Sequence, residues 1–318
     1  MPRVMIARSF DGPEALEAAD EPTRAPGDGE VTISVLASGV NPADAKLLNG
    51  VWGRNPSRLP LHPGSEVSGV VTAVGADAVG PAGPIAVGDE VIGYRVSGGY
   101  AEEITVAATS VLPKPASLGW EEAAGLLLTG VTAFHLLEAT GVGEGDVVII
   151  HGGAGSVGFA AVQLAKLRGA RVIATASERN HGLLEAFGAE PVVYGDGLVD
   201  RLRALLPDGA DVALDTVGTD EALDVSVELV ADRGRIATIA GFEKGAQLGI
   251  RMLGGGPGAD PGRDIRTAAR AELVKLAQEG KIDIVVGRTF PLEGAIEALE
   301  LVASGHPGGQ VALRPNDH

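Results

Sequence analysis

The chain of 318 residues contains no cysteine. That one absence excludes disulfides, thiolate nucleophiles and cysteine-ligated zinc together. Aromatic residues make up only 3%, so a core has to be built from Ala, Val, Leu and Ile. No apolar run reaches the ~18 residues that a membrane span needs, and a soluble globular protein with no membrane partner is expected. The opening Met1-Pro2-Arg3-Val4-Met5-Ile6 lacks the long apolar segment of a secretory signal, which fits a cytoplasmic location. Basic residues are also short: 25 Lys and Arg stand against 42 Asp and Glu, for a net charge of −17. Such a charge repels nucleic acid at long range, so no nucleic-acid partner is expected. A local basic pocket for a phosphate remains compatible with it.

Glycine is abundant, with 47 residues, and one cluster carries the most information. His151-Gly152-Gly153-Ala154-Gly155-Ser156-Val157-Gly158 follows the apolar run Val147–Ile150 and precedes a helical pattern. Strand, glycine-rich turn and helix is the context a dinucleotide-binding G-x-G-x-x-G requires. In this assignment Gly153 permits the tight turn, Gly155 lets the backbone approach a pyrophosphate, and Gly158 lets the helix pack closely on the strand. Ala154, Ser156 and Val157 complete the candidate phosphate loop, and the helix N-terminus offers free N–H groups and partial positive charge. The alternative is a tight strand–helix turn with no ligand.

The first part of the chain reads as β-rich, with strands at Val31–Leu36, Val67–Val74 and Glu90–Gly93 separated by Gly and Pro turn signals. Near Leu118 the texture changes. Trp120–Ala139 reads as helix interrupted at Gly130. From Gly145 onward strands and helices alternate: strands at Val147–Ile150, Arg171–Ala176, Pro191–Tyr194, Val212–Asp215 and Arg235–Ile239, with helices between them and a last one at Arg266–Glu279. This α/β alternation predicts a doubly wound parallel sheet. Leu292–Ser304 and Gln310–Leu313 add a final helix and strand. The run Gly254–Gly258 reads as a flexible surface loop, a candidate mobile edge of an active cleft.

Several segments in order resemble the medium-chain dehydrogenase/reductases, specifically their zinc-independent quinone oxidoreductase branch. Gly39-Val40-Asn41-Pro42-Ala43-Asp44 resembles GVNP-x-D, and Pro63–Val71 resembles PG-x-(D/E)-x-x-G-x-V. Val87–Val91, Gly98–Glu102 and Thr129–Ala133 match GD-x-V, GGYAE and G-(L/V)-T-A, and Gly309-Gln310-Val311 resembles GK-V with Gln in place of Lys. The resemblance implies a GroES-like β-rich catalytic domain over 1–120 and 283–318, around a Rossmann NADP-binding domain over 121–282. It also implies a nicotinamide cofactor in the cleft between them.

In the zinc-dependent relatives a Cys and a His–Glu pair hold a catalytic metal; the corresponding residues here are Asn41 and Ser65-Glu66. The six histidines, His62, His135, His151, His181, His306 and His318, form no i, i+3 or i, i+4 pair. His62 near Glu66 has bland alternatives, a loop residue and a solvated carboxylate. No zinc is expected. At the end of the second Rossmann strand Ala176 stands where NAD-specific folds have an acid, and Ser177, Arg179 and His181 follow. A hydroxyl and a guanidinium suit a 2′-phosphate, and Tyr194 stands where relatives place another contact to it, so NADPH is expected over NADH. Glu178 is discordant: one step of misalignment would make it the ribose carboxylate.

The same resemblance assigns Asn41 and Thr132 to the cleft beside the nicotinamide, with Trp52 as an apolar wall. Asn41 is equally readable as a turn residue before Pro42, and Trp52 as a core or interface residue. Val217, in the loop after Asp215, and Gly241-Phe242 are expected near the cofactor. Asp215 is otherwise a turn carboxylate bonded to backbone N–H groups, and Lys114 a solvated turn residue. No side chain stands out as a general acid. The expectation is an NADPH-dependent hydride transfer to a quinone or activated enone. The alternatives are a 2-enoyl thioester reductase, an idle NADPH-binding protein, and a zinc-independent alcohol or aldehyde reductase. A homodimer is expected to pair through the sheet edge near Arg235–Ile239 and Gly245–Ile250, whose weakly charged strand would otherwise be exposed.

Overall fold

The computed structural model describes residues 1–305 and 308–316; His306 and His318 lie outside the described residues. The chain divides into two units, 1–128 with 271–318, and 129–270. The boundaries therefore fall near 128 and 271, rather than at 120 and 283.

The first unit is built on the long strand Glu30–Val40. Its alternating Val31, Ile33 and Val35 are fully buried, which fixes the register, because a one-residue slip would turn this apolar row outward. It pairs antiparallel with Glu66–Val74, Glu103–Ala107 and Gln310–Arg314. Glu90–Tyr94 and Val111–Pro113 extend the seven-stranded sheet on one side and Val286–Pro291 on the other. The last of these was not legible: Val-Gly-Arg-Thr-Phe-Pro has no clean alternation. It is a strand because it pairs in parallel with Gln310–Arg314. Helix Ala295–Ala303 covers this end, with Ala295, Ala298 and Leu299 in the core.

The expected helix near Trp120 is two helices, Trp120–Ala123 and Leu126–Thr140. The break falls at Ala124-Gly125, not at Gly130. Gly125 is pressed against Gln310, where a Cβ would come within 2.5 Å of its side chain, while Gly130 continues the helix. The stretch Trp120–Thr140 is apolar and long enough to cross a bilayer by composition, but 78% of its most apolar window is buried inside the protein.

The second unit carries a six-stranded, all-parallel sheet. In space the strands run Glu190–Val192, Arg171–Thr175, Val147–His151, Val212–Asp215, Ile236–Thr238 and Arg251–Met252. Numbered by sequence that is 3-2-1-4-5-6, the doubly wound order whose reversal falls beside the first strand. Aliphatic residues fill its core, among them Ile149, Ile173, Leu198, Leu202 and Leu223, as the scarcity of aromatics requires. One expectation fails here. Gly245–Ile250 is not an edge strand: Phe242–Leu248 is a helix closed by Gly249 at φ +67°. The outer strand is the short Arg251–Met252.

Candidate active site

Four polar residues end four adjacent strands of the parallel sheet in one register: Thr175, His151, Asp215 and Thr238. All are buried. Three of them spend their side chains on the loops that follow. Thr175 Oγ1 accepts from Gly152 N at 3.1 Å. Asp215 Oδ1 accepts from Val217 N and Gly218 N at 3.1 and 2.9 Å, and its Oδ2 accepts from the Thr238 hydroxyl at 2.5 Å. Thr238 Oγ1 in turn accepts from Ala240 N and Gly241 N at 3.1 and 2.9 Å. Buried polar groups need such partners, and here the partners are turn amides, so the row shapes the loops along the carboxyl end of the sheet. Asp215 is the backbone-bonded turn carboxylate expected from the sequence. His151 differs, for neither ring nitrogen has a partner. Burial pushes its pKa down to about 4, so the ring is neutral.

The glycine cluster sits on this crest with one role reassigned. The left-handed turn belongs to Gly152, at φ +77°, not to Gly153. Gly153 is required instead by packing, since a Cβ there would lie 2.7 Å from Ala174. Gly158 lies against Gly152, whose carbonyl oxygen would be 2.1 Å from an added Cβ. Gly155 is the least confined of these glycines: an added Cβ would meet one atom, the Gly152 carbonyl oxygen, at 3.3 Å, and the residue is exposed beside Ala154. It caps the helix Ser156–Leu167, whose first-turn N–H groups, from Ser156 and Val157 on, have no carbonyl one turn back to bond. An exposed glycine at the start of a 12-residue helix suits the close approach of a phosphate group. The structure brings Val217 and Gly241 to the same crest. A Cβ on Gly152 would meet Val217 at 2.5 Å, and one on Gly218 would meet Gly241 N at 2.7 Å.

Ala176, the residue after the second strand, is buried, and its N–H donates to Val192 O at 3.0 Å. Ser177 then caps the short 3-10 turn Glu178–Asn180. Ser177 Oγ accepts from Asn180 Nδ2 at 3.2 Å, and Glu178 and Arg179 are exposed. Tyr194 is half exposed. Phe242 opens its helix with the ring against Gly256, where a Cβ would come within 2.6 Å. The run Gly254–Gly258 is a surface loop, as expected, with Gly255, Pro257 and Gly258 exposed, and it is tied down at its ends. Gly254 N donates to Asp260 O at 2.7 Å, and Asp260 N to Met252 O at 2.8 Å. Gly262, at φ +56°, packs on the His135 ring. Thr132 meets a residue that sequence reasoning passed over: Arg266 Nη1 donates to Thr132 Oγ1 at 3.1 Å, and its Nε to His135 Nδ1 at 3.4 Å.

In the first unit, Asp44 is the hub. It is buried in the helix Pro42–Leu48 and accepts from Asn41 N at 2.9 Å, Gly64 N at 3.2 Å and Tyr100 Oη at 3.1 Å. One carboxyl therefore ties together the GVNP-x-D, PG-x-(D/E) and GGYAE segments. Burial raises its pKa to about 6 against those three donors. Glu66 is not a solvated carboxylate; it is fully buried. Its Oε1 accepts from Leu127 N at 2.5 Å and Leu128 N at 3.0 Å, in the first turn of Leu126–Thr140. Desolvation nevertheless pushes its pKa up to about 8, with the charge of Asp44 adding to the rise. Glu66 Oε2, Asn41 Nδ2 and Ser65 Oγ are buried without partners. His62 is turned away to Glu21, at 3.0 Å. Lys114 is not solvated either: its side chain is 7% exposed, 3.2 Å from Glu90 and over the Trp120 ring. Trp52 is half exposed.

A GroES-like β unit carried with a Rossmann-type sheet defines a class, the dehydrogenases and reductases. Residues 27–116 match the family model described as alcohol dehydrogenase GroES-like domain, and 156–256 the one described as zinc-binding dehydrogenase. The quinone oxidoreductase of Mus musculus is 30% identical over 332 aligned positions, covering 98% of this chain and 97% of that protein. Among solved structures, an NAD-dependent alcohol dehydrogenase superposes with a TM-score of 0.85 at 31% identity, covering 98% of this chain and 99% of that one. A mycobacterial protein complexed with NADPH does so at 0.82 and 28%, covering 99% and 100%. The chain belongs to the medium-chain dehydrogenase/reductase family, among its quinone oxidoreductase-type proteins, and is an oxidoreductase.

The raised acids make stability depend on pH. Folded Glu66 keeps a proton that the unfolded chain releases, so its contribution is full below about pH 4.5 and is lost as pH rises to about 8. Asp44 acts in the same sense up to about pH 6, and buried His151 in the opposite sense between about 4 and 6.5. The difference between two proteins is therefore the readout. Urea unfolding at a series of pH values should show Glu66→Gln losing less stability than the parent between pH 5 and 8. Parallel curves would mean that Glu66 is already ionised.

Proposed function

We propose that this oxidoreductase is a zinc-independent, NADPH-dependent reductase of quinones or activated enones. The observation that carries the proposal is the donor set beside Asp44: an asparagine amide, a serine hydroxyl and a carboxyl already bound by two backbone N–H groups. Catalytic zinc takes thiolate, imidazole and carboxylate ligands, and this set does not fit it. No group of three or more His, Cys, Asp or Glu suited to a metal occurs among the described residues. Without a Lewis acid to stabilise an alkoxide, an acceptor that is already electrophilic is the better match.

The dinucleotide does fit. The exposed Gly155 and the first turn of Ser156–Leu167 suit its pyrophosphate, with Val217 and Gly241 along the same crest. When bound, a reduced nicotinamide supplies the hydride. The chain's own residues bind and orient it: Gly152–Gly158 through backbone N–H groups, Ser177, Arg179 and Tyr194 at the 2′-phosphate. Arg266 cannot accept a hydrogen bond, so Thr132 Oγ1 is the acceptor in this pair. Asn41 and Trp52 are assigned to the acceptor side, and Phe242 to the nicotinamide-ribose side. The NADPH complex of a relative supports the 2′-phosphate assignment; the likeness to an NAD-dependent alcohol dehydrogenase is the reason to test it.

A cytoplasmic location is part of the same proposal, and so is a homodimer. The support for pairing is the outer strand Arg251–Met252 at the end of the sheet, a two-fold edge contact that would satisfy its backbone. A sedimentation mass near 32.2 kDa at all micromolar concentrations would exclude the dimer.

The cofactor assignment is tested by fluorescence titration with NADPH and NADH, alongside NADPH oxidation over quinones, enones and acyl-CoA thioesters. NADPH should bind more tightly, and Arg179→Ala should weaken it by about 1 kcal/mol, given the exposure of this residue and the worth of charge-assisted hydrogen bonds. NADH affinity should hold. Equal affinities in the unmodified protein would return Glu178 to the role of ribose carboxylate.

A further inference from the structure

Three polar atoms in the first unit have no partner although they are buried: Asn41 Nδ2, Ser65 Oγ and Glu66 Oε2. Native interiors rarely leave such atoms alone, and these belong to two neighbouring segments. The strands Glu30–Val40 and Glu66–Val74 pair antiparallel with Ser38 opposite Val67. Continuing that register sets the residues after Val40 beside those before Glu66. The Asp44 carboxyl holds both ends there, through Asn41 N and Gly64 N.

The proton on Glu66 has one place to sit. Oε1 already accepts two N–H groups, from Leu127 and Leu128. A carboxylic acid with that oxygen occupied carries its hydrogen on the other, Oε2, which no protein group accepts. Among the described residues no cation bears on this carboxyl; the charge of Asp44 does, opposes its ionisation, and is itself bonded by Tyr100. The unit therefore holds a neutral acid with an unspent O–H, in the same clamped pair of segments as an unspent amide N–H and hydroxyl.

We propose that Glu66 is the proton donor to the reduced acceptor, with Asn41 and Ser65 as hydrogen-bond donors to the same acceptor oxygen. The inference rests on the reductase reading above. A hydride given up by the reduced nicotinamide, whose own C–H bond breaks as the ring is oxidised, would form a C–H bond at an acceptor carbon and move an electron pair onto the conjugated oxygen. The Glu66 Oε2–H bond then breaks and a new O–H bond forms on the acceptor. The carboxylate left behind is held by the N–H groups of Leu127 and Leu128 at the positive end of their helix, and a solvent proton restores the acid once product leaves.

Glu66→Gln in the full chain separates the alternatives. Its amide oxygen can still accept from Leu127 and Leu128, so the fold and NADPH affinity should hold, but it has no proton to give. Infrared difference spectra of the protein without cofactor, neutral against alkaline, should show a protonated-acid C=O band that the variant lacks. In single turnovers with NADPH and a quinone, the parent should show a solvent deuterium isotope effect. The variant should lose that effect and slow by about 100-fold, as loss of a general acid does. Absence of the acid band, or a variant with the parent's rate and isotope effect, overturns the proposal. A parent that fails to oxidise NADPH with every acceptor offered overturns the reductase reading and this inference with it, whereas an unaffected variant beside an active parent overturns the role of Glu66 alone. Should the variant fail to fold, the parent's pH profile decides. A rate that falls as Glu66 ionises supports the donor, and a flat alkaline limb refutes it.

Discussion

A carboxyl group taken out of water has to be met by hydrogen-bond donors or give up its charge, and three buried carboxyls organise this protein on those terms. Asp215 is met by turn amides and a threonine hydroxyl, and in meeting it the loops after two strands take the shape that lines the crest of the parallel sheet. Asp44 is met by two backbone N–H groups and a tyrosine, and so fixes three sequence segments relative to one another. Glu66 is met on one oxygen only. The first two positions are fully supplied with donors and are structural. The third is half supplied, and the half left over is where chemistry can happen.

On the zinc-independent reading proposed above, that contrast explains what the chain has to work with. Zinc would supply a fixed positive charge to an acceptor oxygen. Here the corresponding segments carry an amide, a hydroxyl and an acid that stays neutral because burial opposes its ionisation. Neutral donors stabilise developing negative charge less than a divalent cation does, so they suit acceptors whose conjugation already spreads that charge. The acceptor class and the missing ligands are thus two sides of one electrostatic argument.

Much of the fold was legible. The alternation of strands and helices beyond Gly145 gave the parallel sheet, because short aliphatic runs bounded by turn signals and amphipathic helices between them declare the two elements. The candidate cofactor loop was legible through its glycines, although the turn residue is Gly152 rather than Gly153: both fit the pattern, and only the backbone shows which adopts positive φ. What escaped reading was decided at a distance. Val286–Pro291 becomes a strand through a partner that follows it in sequence, and the break at Gly125 is set by Gln310. Gly245–Ile250, apolar enough for an edge strand, is helical up to Leu248. Arg266 carried no local signal of its contact with Thr132, and Glu66 read as a solvated acid because a single carboxylate looks the same in sequence whether it faces water or a helix end. The i, i+3 spacing of Asn41 and Asp44, a capping pair flanking Pro42, was a signal that could have exposed the Asp44 hub.

The central claim is that this chain reduces its acceptor with neutral protein donors and no metal. Elemental analysis of the purified, untagged protein, joined to NADPH–quinone turnover before and after dialysis against a strong chelator, tests it most directly. The account predicts substoichiometric zinc and unchanged turnover; one zinc per chain, with turnover lost on chelation and restored by zinc, would contradict it.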